Sequence, residues 1–410
     1  MVNRGFGIEV EKRYGSVTSG GADIATSSFD PDWWNHAESV DFKLNDSPVT
    51  RSGSSRMNKR ARAGIMKPTG STTADADLQQ LAWYFYGYLD NYVYTAGSGT
   101  THTHEFYCGE GKELPSFRGI AMFDMLKKYL RGMLIDELKL DVSTENMTVG
   151  AEWIYKTESA AINESFTEPD ELDDEALFIM FYDISLYLGI DNGTPKPLDG
   201  VSTAFSFSGK NNHNVDASIG FGSRYPQKRP LAGKRENDIT ITTTLTADTA
   251  RSILDAEYGA TNITSPSTCK LLQLPLEVNI AHCENDALSA KILFPKCNVR
   301  VEYSMSGVDA IEATLTLDTL GSATVELEDE TTEVETDMYV KLVNNQEEML
   351  LKSEQLGACS VRVLCPHCIK NINTISNRKC NFFTCLFRVY KNNIAIIVYL
   401  LSNLCVKYYI

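Results

Sequence analysis

Residues 127–155, KKYLRGMLIDELKLDVSTENMTVGAEWIY, alternate apolar and polar positions twice. Leu138, Leu140 and Val142 are separated by Lys139 and Asp141. Met147, Val149, Ala151, Trp153 and Tyr155 are separated by Thr148, Gly150, Glu152 and Ile154. A period of two marks half-buried β-strands, and the four residues Ser143 to Asn146 are a hairpin-sized connection, so an antiparallel hairpin with one apolar face is predicted. The pattern returns in NVRVEYSMSGVDAIEATLTLDTL (298–320). There Val299, Val301 and Tyr303 alternate before a turn at Gly307, and Ile311, Ala313, Leu315 and Leu317 alternate after it.

Upstream of each hairpin the same order of signals occurs. Residues 39–87 read as an alternating strand, a basic loop, a short second strand and a helix. In the helix Leu78, Leu81, Ala82 and Phe85 fall on one face, with Thr72 and Asp75 placed as a capping box and Gly87 placed as the stop. Residues 202–259 repeat the order: Ala204, Phe205 and Phe207 begin a strand, a loop carries Arg224, Lys228 and Arg229, Ile239, Ile241 and Thr243 alternate, and a helix runs from Ala247 to Tyr258-Gly259. Ser55-Arg56 answers Ser223-Arg224, Ala63-Gly64 answers Ala232-Gly233, and Tyr86-Gly87 answers Tyr258-Gly259, at separations of 168, 169 and 172 residues. Leu114-Pro115 and Leu274-Pro275 open strand regions in the two halves. A repeat this long is a duplicated domain and not a solenoid. Chance similarity between two α+β domains rich in turn residues is the competing account.

The fold class predicted is therefore α+β, mainly β: two tandem β-sandwich domains, each with a flanking helix. Residues 1–160 form the first domain, 161–176 an acidic connector, 177–345 the second domain, and 346–410 a C-terminal extension. The connector segment INESFTEPDELDDEAL has seven acids from Glu164 to Glu175 and reads as solvated chain.

Composition narrows the function. With 410 residues and 43% hydrophobic positions the chain can fill real cores. Its 38 Lys and Arg against 54 Asp and Glu give a net charge of −16, which argues against general affinity for nucleic-acid phosphates. The N-terminal MVNRGFGIEVEKRYG has charges throughout and no apolar segment, so no secretory signal is predicted and synthesis in the cytoplasm is expected. Cys108, Cys269, Cys283 and Cys297 are widely scattered and read as reduced thiols.

From Cys359 onward the sequence has seven basic residues, the six remaining cysteines and no acid. Cys365, Cys368, Cys380 and Cys385 approximate a zinc ribbon, but the second pair departs from the usual two-residue spacing. The apolar run Ile394 to Val406 has 13 residues, short of the roughly 20 that cross a bilayer, so no membrane span is predicted. Translation past the natural end of an A/T-rich gene, or a frameshift, accounts better for this composition than a selected domain does.

His102-Thr103-His104 places two imidazoles on one face of a strand, a metal pattern if Cys108 or Glu110 joined them, but no second ligand motif follows. No nucleophile triad, phosphate loop or HExxH is present, so no enzyme and no cofactor are predicted. Arg51, Arg56, Lys59, Arg60 and Arg62 share a stretch with no acid from Ser47 to Ala74, and Arg224, Lys228, Arg229, Lys234 and Arg235 recur at the matching place. Contact with acidic protein surfaces and simple solvation are both open readings. Nucleic-acid contact is disfavoured because aromatic interleaving is missing.

Several blocks together, IEVEKRYG (8–15), the loop and helix from Arg56 to Gly87, HTHEFY through LPSF (102–117), YLRGMLIDELKLDV and MYVKLVNN (338–345), resemble the tail tube proteins of long-tailed bacteriophages. The likeness covers roughly residues 5–345 and rests on order and spacing. It implies two tail-tube-like sandwiches and a structural virion protein, the major tail tube subunit, self-assembling into stacked rings in the host cytoplasm. The inner sheets of such rings join into a barrel around the DNA ejection channel, and DNA passes without tight binding. The implied partners are further copies of the chain, a tape measure protein, a tail terminator and baseplate or tail-tip proteins. In that setting Arg56, Lys59, Arg60, Arg62, Arg224, Lys228 and Arg229 are expected to make ring-stacking contacts. Two tube domains per chain imply a trimeric ring with pseudo-sixfold symmetry, and a single merged sandwich implies a hexamer. A β-sandwich virion decoration or receptor-binding module is the alternative.

Overall fold

The computed structural model describes the chain from Arg4 to Met349 apart from residues 12–13, 16–32, 36, 52–59, 98, 112, 163–177, 192–193, 199–200, 259–272, 286, 306–310, 329–331 and 347. Residues Met1–Met349 form one compact unit. The segment Leu350–Ile410, with Cys365, Cys368, Cys380 and Cys385, lies outside the described residues, as do the acids of the connector.

The first half contains β1 (Arg4–Val10), β2 (Trp33–Asn35), β3 (Ser39–Lys43), β4 (Val49–Arg51), β5 (Arg60–Arg62), β6 (Thr69–Asp75), α1 (Leu78–Tyr88), β7 (Asn91–Ala96), β8 (His102–Tyr107), β9 (Phe117–Phe123), β10 (Leu126–Val142), β11 (Met147–Ile154) and β12 (Thr157–Ile162). The second contains β13 (Ile184–Asp191), β14 (Thr194–Pro197), β15 (Val201–Lys210), β16 (Glu236–Thr244), α2 (Ala247–Tyr258), β17 (Leu274–Ala281), β18 (Ser289–Ser304), β19 (Glu312–Thr319), β20 (Ala323–Glu326), β21 (Glu333–Thr336) and β22 (Tyr339–Asn344). The protein is mainly β with a little helix, and its ladders are antiparallel.

One long sheet runs β3–β6–β11–β10–β15–β16–β19–β18. Across the core lie two further runs, β2–β1–β9–β10–β12 and β14–β13–β17–β18–β22–β8–β7. Strands β10 and β18 belong to both layers: the first part of each pairs across the core and the last part joins the long sheet. Followed strand by strand among the described residues, no ladder returns to its start, so the ladders make open sheets linked through β10 and β18.

The change of layer in β10 falls where its ladder with β9 slips between Leu130 and Met133. Gly132 sits there with φ 65, and a Cβ on it would lie 2.9 Å from Lys156 and Tyr14, so the bend needs glycine on both counts. Its N–H donates to Glu11 Oε1 at 2.8 Å. Burial raises the Glu11 carboxyl above the ordinary range, against the hydrogen bonds from Gly132, Gly15 and Ser116 that lower it.

The two halves use one strand order. In the long sheet β3–β6–β11–β10 is matched by β15–β16–β19–β18, and across the core β1–β9–β10–β12 is matched by β13–β17–β18–β22. Detail repeats as well. Asn45 (φ 47) and Asn212 (φ 50) are both left-handed, and their side-chain amides donate to Lys67 O at 3.1 Å and Lys234 O at 2.9 Å. The β7–β8 hairpin breaks the match by leaving the first half to extend the second half's outer run through β22.

Sandwich packing is visible in the aromatic contacts between layers. Phe6 on β1 stacks on Phe42 of β3 at 5.7 Å and meets Trp153 of β11 at 5.6 Å, and Phe207 of β15 meets Phe294 of β18 at 5.5 Å. The hairpin β10–β11 turns through Ser143–Asn146, and Leu138, Leu140, Met147, Val149, Ala151 and Trp153 all face this core.

Two helix expectations are corrected. Thr72 and Asp75 belong to β6, and the cap of α1 is Asp77, whose carboxylate accepts from Gln79 N and Gln80 N, both at 2.7 Å. Gly87 does not stop α1, which continues to Tyr88, because Gly87 lies against Phe117 and Ile135 where a Cβ would collide. The apolar face was read correctly: Leu78, Leu81, Ala82 and Phe85 are all buried. Among the described residues no helix is long and apolar enough to cross a membrane.

Candidate assembly surface

In the long sheet every second side chain points into the core, and the other face presents Ser, Thr and charged residues. β6 shows Ser71 and Thr73, β16 shows Thr240 and Thr242, and β19 shows Thr314 and Thr316, while their neighbours Thr72, Ile241 and Leu315 are buried. Carboxylates dominate the charge on this face. Asp41, Asp75, Glu137, Asp141 and Glu152 of the first half and Glu236, Asp238, Glu302, Glu312 and Asp318 of the second outnumber Lys43, Lys139, Lys210 and Arg300. Contacts between strands hold these side chains: Ser206 and Ser208 donate to Asp141 and Glu137, each at 2.6 Å, and Lys139 meets Glu152 at 2.8 Å. Among the described residues only Ala204 and Ile154 interrupt the polar side chains of this face, and a face with so little apolar surface to bury is built to meet water.

The ends of this sheet are unpaired among the described residues. β3 pairs as a strand only with β6, with Lys128 Nζ donating to Phe42 O at 2.7 Å, and the last part of β18 pairs only with β19. Beside the β18 edge Tyr258, Tyr303, Met305 and Ile311 are exposed, Met305 at 71%. An edge flanked by exposed apolar groups is a template for another strand. Inside the chain the equivalent of that event has taken place, since the last part of β10, counterpart of β18, pairs with β15, counterpart of β3, over six residues from Glu137↔Lys210 to Val142↔Phe205.

The basic loops lie at one end of the long sheet. Arg224 Nε donates to Gly64 O at 2.8 Å and its guanidinium is 3.0 Å from Asp46, while Met66 N donates to Arg224 O. Arg229 donates to Ser116 Oγ at 3.2 Å, beside buried Glu11. These two cations fasten the second loop to the first half. Lys228 and Arg62 are exposed, Arg60 lies in β5, and Arg56 and Lys59 fall outside the described residues.

His102 and His104 are each engaged by a tyrosine. Tyr94 Oη lies 2.8 Å from His102 Nδ1, and Tyr92 Oη lies 2.9 Å from His104 Nδ1. Burial pushes His104 down to about 4 and keeps it neutral near pH 7. Cys108 is buried and Glu110 exposed. Among the described residues there is no group of three or more metal-ligating side chains.

Sequence reasoning missed the free edges, because which strand ends a sheet is set by pairing and not by the alternation within the strand. Compared with known proteins, the chain matches no protein-family model and no curated sequence.

Proposed function

We propose that this chain is a structural subunit that closes into rings and stacks into a tube, acting as the major tail tube protein of a long-tailed bacteriophage. The observation that carries the reading is the β10–β15 ladder, which joins the two halves edge to edge and, among the described residues, leaves the counterpart edges, β18 and β3, without a further strand. Repeating that junction between chains is a head-to-tail contact, which makes a ring when its rotation closes. If each half turns the wall by a sixth, three chains complete it.

The internal register carries over. The Asn45 and Asn212 match equates β3 with β15, so that Lys43 corresponds to Lys210. Across the sheet Glu137, opposite Glu152, then corresponds to Asn298, opposite Asp318. Between chains, Arg300 of β18 comes opposite Asp41 of the next β3, an attractive pair, with Val299 opposite Phe42.

Three chains supply a wall of about 24 strands. At ~4.8 Å per strand and a tilt of ~40°, the backbone ring is about 45–50 Å across. Its lining would be the hydroxyl and carboxylate face, which lets a polyanion slide. A cationic lining would hold DNA at ~10⁻⁴ to 10⁻⁶ M per site, multiplied along the tube.

Negative-stain images of the purified protein should show rings or stacked tubes with a central channel, and symmetry analysis should find three chains per ring. Discrete particles with no channel would sink this reading in favour of a decoration or receptor-binding module. Six chains per ring would remove the two-domain trimer.

A further inference from the structure

Strand β15 begins in a cleft and ends at a loop, about 30 Å apart for a strand of this length. The cleft, of about 400 Å³, is lined by Val142, Phe181, Tyr182, Leu186, Leu198 and Phe205 among others. Its rim is unusual for a protein surface, because Phe181 is 44% and Tyr182 59% exposed. At the other end of β15, residues 211–235 form the second basic loop, and Phe221 at its tip is fully exposed at 108%. Gly220 and Gly222 flank it, the latter at φ 88, so the backbone lifts the ring clear of the body. The base of the loop is fixed by Arg224 on Gly64 and Asp46 and by Arg229 on Ser116. An immobilised base with an uncovered aromatic tip is a knob without a hole on its own chain.

We infer that Phe221 inserts into the cleft of a second copy of this chain, stacked end on end. Knob and cleft lie at opposite ends of one strand, so the contact is head-to-tail along that direction and propagates without closing, which builds a filament. A cleft of about 400 Å³ has room for a phenylalanine ring, and the exposed rings of Phe181 and Tyr182 at its rim offer that ring aromatic partners. The inference rests on the tube reading for its direction and gives stacking an apolar anchor that the basic loops alone lack. Charge on the loop would then steer approach, and the ring would hold the contact.

The test uses the full chain with p-benzoyl-phenylalanine in place of Phe221, irradiated after assembly and mapped by mass spectrometry. Cross-links between chains into residues 178–205 are expected. Phe221→Ala, at an exposed position where folding is undisturbed, should raise the concentration needed for tubes on the order of tenfold or more while single rings persist. Tyr182→Ala should act in the same direction, and the double variant should add little, because both remove one contact. Tubes that form normally from Phe221→Ala, or cross-links that map elsewhere, overturn the inference and leave the ring reading standing. Cross-links into the cleft from a protein that forms no channel would do the reverse.

Discussion

At the scale of single residues, the junction between the halves turns on Tyr88. Its side chain is fully buried, its hydroxyl donates to Asn237 Oδ1 at 2.8 Å, and its ring packs edge-on against Phe207 with the Arg235 guanidinium 5.6 Å from its centre. Asn211 donates to Tyr88 O at 3.2 Å and to Ile135 O at 3.1 Å, tying the end of α1 and the bend of β10 to the second half. Burial raises the Tyr88 hydroxyl pKa far above its ordinary value, so it stays a donor. Tyr88→Phe leaves the Asn237 carbonyl without its donor and should lower stability by about 1–2 kcal/mol in denaturant titration. Asn211→Ala, which strips partners from two buried carbonyls, should cost more. Equal effects would show that water replaces the lost amide.

At the scale of elements, α1 begins on a carboxylate that the fold has buried. Asp77 is 7% exposed, and burial pushes its pKa up to about 6 from 3.8 against the lowering effect of the Gln80 and Gln79 N–H groups. A folded-state pKa above the unfolded one means that folding takes up a proton, so stability is greatest below about pH 4 and declines as pH rises toward about 6. Two pKa units correspond to on the order of 2–3 kcal/mol. Asp77→Asn keeps a capping oxygen with no charge, so its stability should be flat through that window and at pH 7 should exceed that of the parent. Parallel curves for the two proteins in thermal melts from pH 4 to 7 would refute the assignment.

At the scale of the whole molecule, the free edges make a register test available. Arg300→Asp alone and Asp41→Arg alone should each impede ring closure, because each places like charges opposite one another between chains. The two together restore an attractive pair and should recover assembly in sedimentation. Recovery no better than the worse single variant would show that β18 and β3 do not meet in this register. Asp41 is half-buried and Arg300 exposed, and the pairs they make within the chain, with Lys43 and Asp318, are solvent-exposed ones of little weight, so the monomer should fold in all three cases. Charge reversal at Arg62 and Lys228, both exposed, should slow stacking with little effect on ring closure. Reversal at Arg224 or Arg229 should disturb the monomer itself, since these residues bind Gly64, Asp46 and Ser116 within the chain.

The sequence by itself determined the strands, the polar face and the twofold order. Alternation of Leu138 with Lys139, or of Ile239 with Thr240, follows from a backbone whose side chains must separate core from water, and that separation is written locally. The helix face at Leu78, Leu81, Ala82 and Phe85 was legible for the same reason, but its cap was not. Thr72 and Asp75 have the right spacing for a capping box, and β6 claims them first through its ladder with β11. Tertiary structure alone decided that β10 and β18 pass between layers, that β7–β8 crosses to the other half, and that Arg224 and Arg229 point inward. Pairing partners are chosen by long-range ladders and close packing, which leave no periodic trace in either strand. The candidate surface was therefore half readable: its chemistry lies in the alternation, and its free edges and the Phe221 knob with its cleft lie in how the alternating segments were placed.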